Sequence, residues 1–362
     1  MKILILANND LGLYNFRKEL LEELIKLKHE VYISLPNGKR VKDLEQMACK
    51  YIETEIDRRG TNPIKDLQLI MKYNKIIKKI KPDTILTYTI KPNIYGGIAC
   101  RINKVPYITN ITGLGTALEN KGILQKILIA LYKIALKDVK CCFTQNKENL
   151  EFVKKHITST NKYKLLPGSG VNLEKYKLLD YPNENDKIRF LFIGRIMKEK
   201  GIEQYIDVSE YITSKYANTE FHVLGFCEQE YETRLKELQD KGILKYHGRQ
   251  DNIIPFLTES SCLIHPSYYP EGMSNVLLEA SASGRPVITT NRSGCREIVE
   301  DGRTGFIIDP KNSEELIKKV EEFIGLSNEE RRNMGLEARK KVEKEFDRNI
   351  VVNEYLKIIK RG

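Results

Sequence analysis

Between Ser261 and Gly284 the chain carries a strand signal, a break and a helix signal in immediate succession. Ser261-Cys-Leu-Ile-His265 is short and apolar, as a buried strand is. Pro266 and Pro270 break the strand, and Gly272 permits a tight turn. Ser274 or Asn275 can cap a helix. Val276, Leu277, Ala280 and Ser281 follow helical spacing, and Gly284 ends the run. The segment therefore reads as strand, loop and helix, with the helix N-terminus open to the loop.

The same sequence of signals recurs along the chain. Residues 2–7 read as a buried strand, Asn8 to Tyr14 as a loop containing Gly12, and Phe16 to Leu27 as a helix. Val31 to Leu35 reads as the next strand. Leu67 to Ile80 is a lysine-laced helix pattern that ends before Pro82. The strand Thr84 to Thr89 leads to Lys91-Pro92-Asn93, and the strand Tyr107 to Ile111, with Asn110, leads to Thr112-Gly113-Leu114-Gly115-Thr116. Residues 167–187 hold Pro, Gly and Asn in excess. A second opening follows, from Ile188 through Gly194, Arg195, Lys200 and Gly201 into an amphipathic helix. Alternating strands and helices in both halves imply an α/β protein of two doubly wound parallel-sheet domains, each Rossmann-like. The expected divisions are 1–170, a linker at 171–187, 188–345, and a C-terminal helix within 346–362. In such sheets the strand-end loops gather along the carboxyl edge, so Gly12, Lys91, Asn110, Thr112 and Gly113 would line one wall of a central cleft. Turn chemistry alone accounts for the individual glycines equally well.

The helix start near Asn275 suits an anion, through free N–H groups and the positive end of the macrodipole. Two carboxylates share that neighbourhood, Glu271 on the loop and Glu279 about two helical turns on, roughly on the same face. Carboxylates accept well from vicinal hydroxyls. Phosphate donors beside hydroxyl acceptors describe a nucleotide-sugar. A full Gly-x-Gly-x-x-Gly is absent from the first opening, which argues against a dinucleotide site there.

The 362 residues, 41 % of them hydrophobic, are ample for two cores. No apolar run approaches the ~20 residues of a membrane span, and the N-terminus reads as a first strand rather than a targeting segment. Seven cysteines lie scattered without a Cys-x-x-Cys pair, as in a reduced, cytoplasmic protein. The five histidines show no ligand spacing and no Asp-x-Asp occurs, so no metal or other cofactor is expected. The net charge of +11 is uneven: residues 1–170 carry 30 basic against 16 acidic side chains. That half favours an anionic partner. From Lys121 to Lys140 the chain reads as a helix apolar over most of its circumference, with Lys126, Lys133, Lys137 and Lys140 on one stripe. Two readings stand: a core helix with one wet edge, or an interfacial helix on anionic lipid in which Leu124, Ile127, Leu128 and Leu131 partly insert. The Lys72, Lys75, Lys79 helix is the next candidate for such a contact.

Gly194-Arg195-x4-Lys200-Gly201, followed by Glu271-Gly-Met-Ser-Asn-Val-Leu-Leu-Glu279, resembles the family-four retaining glycosyltransferases of the GT-B fold. Thr-Ile-Lys91-Pro-Asn-Ile-Tyr-Gly and Ile-Thr-Gly113-Leu-Gly115 resemble the members that build bacterial capsule, O-antigen or glycan precursors on lipid carriers. The resemblance covers essentially the whole chain. It implies that Arg195 and Lys200 hold the donor diphosphate, and that Glu279 accepts from the ribose hydroxyls. Glu271 and the amides of Gly272, Met273, Ser274 and Asn275 would hold the transferred sugar and phosphates, and Gly194 and Arg249 would also line the donor site, Arg249 near the base. It further implies a UDP-sugar donor, a polyprenyl-diphosphate-linked saccharide acceptor and work at the inner face of the cell membrane, without nucleic acid. Two other classes stay open: a hydrolysing sugar-nucleotide epimerase using Asp10 and Glu271, and a basic membrane or nucleic-acid adaptor.

Overall fold

Continuous apolar runs such as Ile3–Leu6 and Leu263–Ile264 are buried on both faces, as strands between two helix layers must be. The computed structural model describes residues 1–57, 60, 62–115, 122–157 and 162–360. Among these, the strands form two wholly parallel sheets. The first joins β1 (Lys2–Leu6), β2 (Glu30–Leu35), β3 (Lys50–Glu53), β4 (Thr84–Tyr88), β5 (Tyr107–Ile111), β6 (Cys141–Thr144) and β7 (Tyr163–Leu165), in the order 3-2-1-4-5-6-7. The second joins β8 (Ile188–Ile193), β9 (Thr219–Leu224), β10 (Lys245–Tyr246), β11 (Cys262–His265), β12 (Val287–Thr290) and β13 (Gly305–Ile308), in the order 10-9-8-11-12-13. Each order reverses once, between β1 and β4 and between β8 and β11. Such a reversal opens a crevice at the carboxyl ends of the two strands.

The chain divides into two compact units. One holds residues 1–170, 271–273 and the helix Arg348–Lys360; the other holds 171–270 and 274–347. In the first unit, one sheet face packs on the helices Asp10–Lys26, Val41–Gln46 and Arg348–Lys360. The opposite face packs on Pro63–Ile80, Gly97–Ile102 and Ile123–Leu136. The C-terminal helix is fixed by Tyr355, whose ring lies 4.7 Å from Phe143, and by Arg348, which donates to Glu19 and to the Gly170 carbonyl.

Several boundaries differ from the sequence expectation. The first helix starts at Asp10, because the Asn9 side chain caps it by accepting from the Gly12 amide at 2.5 Å. Gly12 therefore lies in a helical first turn, not on a loop. The lysine-laced helix begins at Pro63 behind an Asn62 cap, a start signalled by Asn followed by Pro. The helix expected from Lys121 to Lys140 runs only from Ile123 to Leu136. Lys137 and Lys140 thus fall outside it, and Lys121, like Thr116, lies outside the described residues. Leu128 and Leu131 pack against the core, while Leu124 and Ile127 are exposed. The segment expected as a linker at 171–187 belongs to the second unit. Tyr181 donates to the Ser261 carbonyl, Asn328 to that of Pro182, and Arg285 to those of Leu179 and Asp180.

Candidate active site

In the second unit, β8 ends at Ile193 and delivers Gly194 and Arg195 to the carboxyl edge. A short 3-10 turn, Lys198–Lys200, follows and closes on Gly201. Gly201 has φ +80, and a Cβ there would sit 2.2 Å from the Pro266 carbonyl oxygen. Only glycine permits the turn to approach the loop after β11 so closely. The Tyr268 amide donates to the Glu199 carbonyl at 2.9 Å and ties the two loops together.

That approach sets both expected diphosphate ligands over one aromatic ring. The Arg195 guanidinium stands 4.9 Å from the Tyr269 ring centroid, and Lys200 Nζ stands 5.1 Å from it. Arg195 Nη1 also donates to Glu228 at 2.6 Å. Burial works against the Arg195 charge, but Tyr269 and Glu228 outweigh it and hold the guanidinium pKa above its ordinary value. Of the acidic side chains nearby in sequence, Glu203 binds Arg234 and Tyr231, and Glu199 accepts from the Gln229 side chain.

The helix Asn275–Ala282 starts behind Ser274, which holds the N-cap position without a side-chain cap bond. Its amides are therefore not closed off by the cap hydroxyl. Asn275 Oδ1 is buried and has no hydrogen-bond partner among the described residues. Leu277, Leu278 and Ala280 bury the inner face, and Glu279 is half-buried. Arg249 is exposed just beyond β10, where Gly248 takes φ +62 and its carbonyl accepts from the Gly225 amide. Gly194, Arg195, Lys200, Arg249, Ser274, Asn275 and Glu279 thus all belong to the second unit, with Arg195 and Lys200 beside the β8/β11 reversal.

Glu271, Gly272 and Met273 group with the first unit. Asn146 Nδ2 donates to the carbonyl oxygens of Glu271 and Gly272, at 3.0 and 2.7 Å. Its Oδ1 caps the helix Lys147–His156 by accepting from the Asn149 amide. A Cβ on Gly272 would lie 2.0 Å from the Thr112 carbonyl oxygen, so only glycine allows this contact. Thr112 and the half-buried Gly113 follow β5 at the same edge. Lys91 follows β4 and is held by Asp66 at 2.7 Å, which also accepts from Tyr95. Asn110 departs from its expected place on a cleft wall. It is fully buried and donates to the Tyr355 hydroxyl at 2.7 Å, which links β5 to the C-terminal helix. Among the described residues, no group of three or more His, Cys, Asp or Glu side chains is placed to hold a metal ion.

Tyr269, Glu228 and Asn146 escape the sequence reading. Asn146 has a local signal, a polar residue between a strand and a helix, but its grip on Glu271 spans 125 residues. For Tyr269 the expected outcome is simple. Tyr269→Phe keeps the ring and leaves donor KM close to normal. Tyr269→Ala removes two cation–π contacts, each worth ~0.5–2 kcal/mol, and raises donor KM in steady-state kinetics.

Residues 180–341 match the family model described as glycosyl transferases group 1, and residues 2–146 match that described as glycosyl transferase 4-like. One similar protein is the N,N'-diacetylbacillosaminyl-diphospho-undecaprenol alpha-1,3-N-acetylgalactosaminyltransferase of Campylobacter jejuni. It is 26 % identical over all of this chain and 99 % of its own length. The capsular polysaccharide biosynthesis glycosyltransferase CapM of Staphylococcus aureus is 28 % identical, over 92 % of this chain and 90 % of its own. The UDP-Gal:alpha-D-GlcNAc-diphosphoundecaprenol alpha-1,3-galactosyltransferase of Escherichia coli is 26 % identical over 72 % and 71 %. Among solved structures, a glycosyltransferase from Rickettsia africae superposes with a TM-score of 0.83 at 21 % identity, covering 99 % of this chain and 98 % of that one. HepE of Anabaena, solved with UDP-glucose, superposes at 0.81 and 19 % identity, each chain covered fully. These two likenesses concern the fold. With one family model on each of its parallel-sheet units, and relatives that run its full length, the chain belongs to the glycosyltransferases of the GT-B fold.

Proposed function

We propose that this glycosyltransferase moves a hexose or N-acetylhexosamine, with retention of configuration, from a UDP-sugar to a saccharide on a polyprenyl diphosphate. The observation that carries the reading is the pair of cations, Arg195 and Lys200, set over one Tyr269 ring beside the β8/β11 reversal. Departure of UDP builds negative charge on its terminal phosphate. Preorganised cations and an open helix start stabilise that charge most when it is fully developed. These groups supply the electrostatic help that a metal ion gives elsewhere, so the reaction is proposed to proceed without one. In a same-face substitution the acceptor hydroxyl oxygen bonds the anomeric carbon as the carbon–oxygen bond to UDP breaks. The hydroxyl proton passes to the departing phosphate oxygen.

The acceptor class is supported by relatives named for undecaprenol-diphosphate-linked acceptors, and the donor class by one named for UDP-Gal. A lipid-linked acceptor would bring the enzyme to the cytoplasmic face of the membrane. No described helix is long and apolar enough to cross it. The epimerase reading lacks comparable support, because Asp10, one of its two carboxylates, is buried and accepts from the Arg40 amide at 2.7 Å. A nucleic-acid adaptor leaves the Arg195–Tyr269–Lys200 arrangement without a task.

The test is a panel of UDP- and GDP-sugars with polyprenyl-diphosphate saccharides, with and without EDTA. Elongation by one sugar from a UDP donor, undiminished by EDTA, is expected. Activity lost to EDTA and restored by Mn²⁺ or Mg²⁺ would overturn the metal-independent step, and activity only with GDP-sugars would overturn the donor assignment.

A further inference from the structure

A trans peptide group is planar, so its C=O and N–H point in opposite directions. Fixing one therefore aims the other. Asn146 Nδ2 donates to the carbonyl oxygens of Glu271 and Gly272, at 3.0 and 2.7 Å. Those carbonyls share their peptide groups with the amides of Gly272 and Met273. One carboxamide thus turns two successive N–H groups away from itself, to the opposite side of the loop. Successive N–H groups aimed the same way make a small donor site for oxygen atoms.

The surroundings hold this arrangement in place. Asn146 is 2 % exposed, and its Oδ1 accepts from the Asn149 amide at 2.7 Å, so the carboxamide is fixed from both ends. Gly272 is wedged against the Thr112 carbonyl, and a Cβ there would also lie 2.6 Å from Gln145 Oε1. Gly272 and Met273 are buried, yet among the described residues neither amide donates a hydrogen bond. The Ser274 amide, one residue on, is committed to the Gly294 carbonyl at 2.8 Å. Gln145 is 3 % exposed, and its Nε2 has no partner among the described residues. Buried donors are rarely left unpaired. Three of them clustered around Gly272 fit a ligand rich in acceptor oxygens.

We propose that Asn146 is a positioning residue for donor-sugar recognition: it aims the Gly272 and Met273 amides, with Gln145 Nε2 beside them, at hydroxyl oxygens of the transferred sugar. A sugar hydroxyl both accepts and donates, so it satisfies these neutral donors and the Glu271 carboxylate of the same loop together. A phosphate only accepts, and that carboxylate repels it. Recognition of the sugar is thereby assigned to the loop 271–273, seated on the first unit, while Arg195 and Lys200 of the second unit serve the diphosphate. The role deepens the UDP-sugar reading above and rests on it.

The experiment is calorimetry on the full chain with UDP, UDP-glucose, UDP-galactose and the N-acetylamino counterparts of the two sugars. It compares the wild type with Asn146→Asp, Asn146→Ser and Asn146→Ala, and thermal unfolding is followed in parallel. Asp and Ser are good N-caps, so both keep the helix Lys147–His156 capped. Neither can donate to two carbonyls at once. Both variants are expected to unfold as the wild type does and to bind UDP unchanged. Their affinity for the UDP-sugar that the wild type binds should fall about tenfold or more. UDP-sugar affinity unchanged in both variants, or lost in step with UDP affinity, overturns the proposal. So does a loss confined to Asn146→Ala and matched by earlier unfolding, which would reduce Asn146 to a helix cap. A wild type that binds none of these nucleotides sinks the UDP-sugar reading itself, and the positioning role with it.

Discussion

Arg195→Ala and Lys200→Ala should each cut kcat as well as raise donor KM. A charge-assisted hydrogen bond contributes ~1.5–3 kcal/mol, so each substitution should slow turnover by about 10- to 150-fold if the bond strengthens as the diphosphate leaves. Loss confined to KM would mean that the contact is made equally in the ground state. Both side chains stand over Tyr269, and Arg195 is also anchored by Glu228. The double variant should therefore lose less than the sum of the two singles. Single-turnover and steady-state kinetics at saturating donor measure all three. Near-normal kcat together with near-normal donor KM in both single variants would place the diphosphate elsewhere.

The largest expected effect on stability lies at Arg285. The side chain is fully buried, and among the described residues it forms no ion pair with a carboxylate. Its Nε donates to the Leu257 carbonyl at 2.7 Å, and Nη2 to those of Asp180 and Thr258 at 2.6 and 3.1 Å. Burial lowers its pKa to about 10, which still leaves it charged at neutral pH. One guanidinium thus satisfies carbonyls from three segments: the 179–180 stretch, the end of the helix Ile254–Glu259, and the end of the helix Asn275–Ala282. Arg285→Ala opens a cavity and orphans several buried acceptors at ~1–3 kcal/mol each. A loss of about 4 kcal/mol or more is expected, read as early unfolding of the second unit in a denaturant titration. Arg285→Lys should recover only part, because an ammonium cannot fan its donors over the same plane. An unchanged midpoint for Arg285→Ala would show that water replaces the guanidinium at no cost.

How far the sequence could be read depended on the range of the interactions concerned. β8 and β11 were legible because strands buried on both faces are continuous apolar runs, and Gly194 and Pro266 punctuate them. Arg195, Lys200 and the Glu271–Glu279 run were legible because each lies within one strand-loop-helix unit. Gly12 misled, since a glycine in a helical first turn looks like a loop until the Asn9 cap is recognised. The helix Asn328–Glu345 has no clear apolar period: its inner face is built partly from Gly335 and Ala338. Its capping box, Ser327 with Glu330, was the signal available. Arg285 reads as a surface residue after glycine and before proline, and only tertiary packing reveals its buried role. Tyr269 and Glu228 are recognisable only once β8, β9 and β11 stand side by side.

If one sugar passes from a UDP-sugar to a lipid-linked saccharide at a site built on Arg195 and Lys200, UDP release and glycolipid elongation must be coupled one to one. The ratio of UDP released to glycolipid elongated, measured in one reaction with the new anomeric linkage read by NMR, decides this. Equal amounts are expected, with the donor's anomeric configuration kept and both signals lost together in Arg195→Ala. UDP release without elongated glycolipid, or an inverted linkage, would rule out retaining transfer to this acceptor.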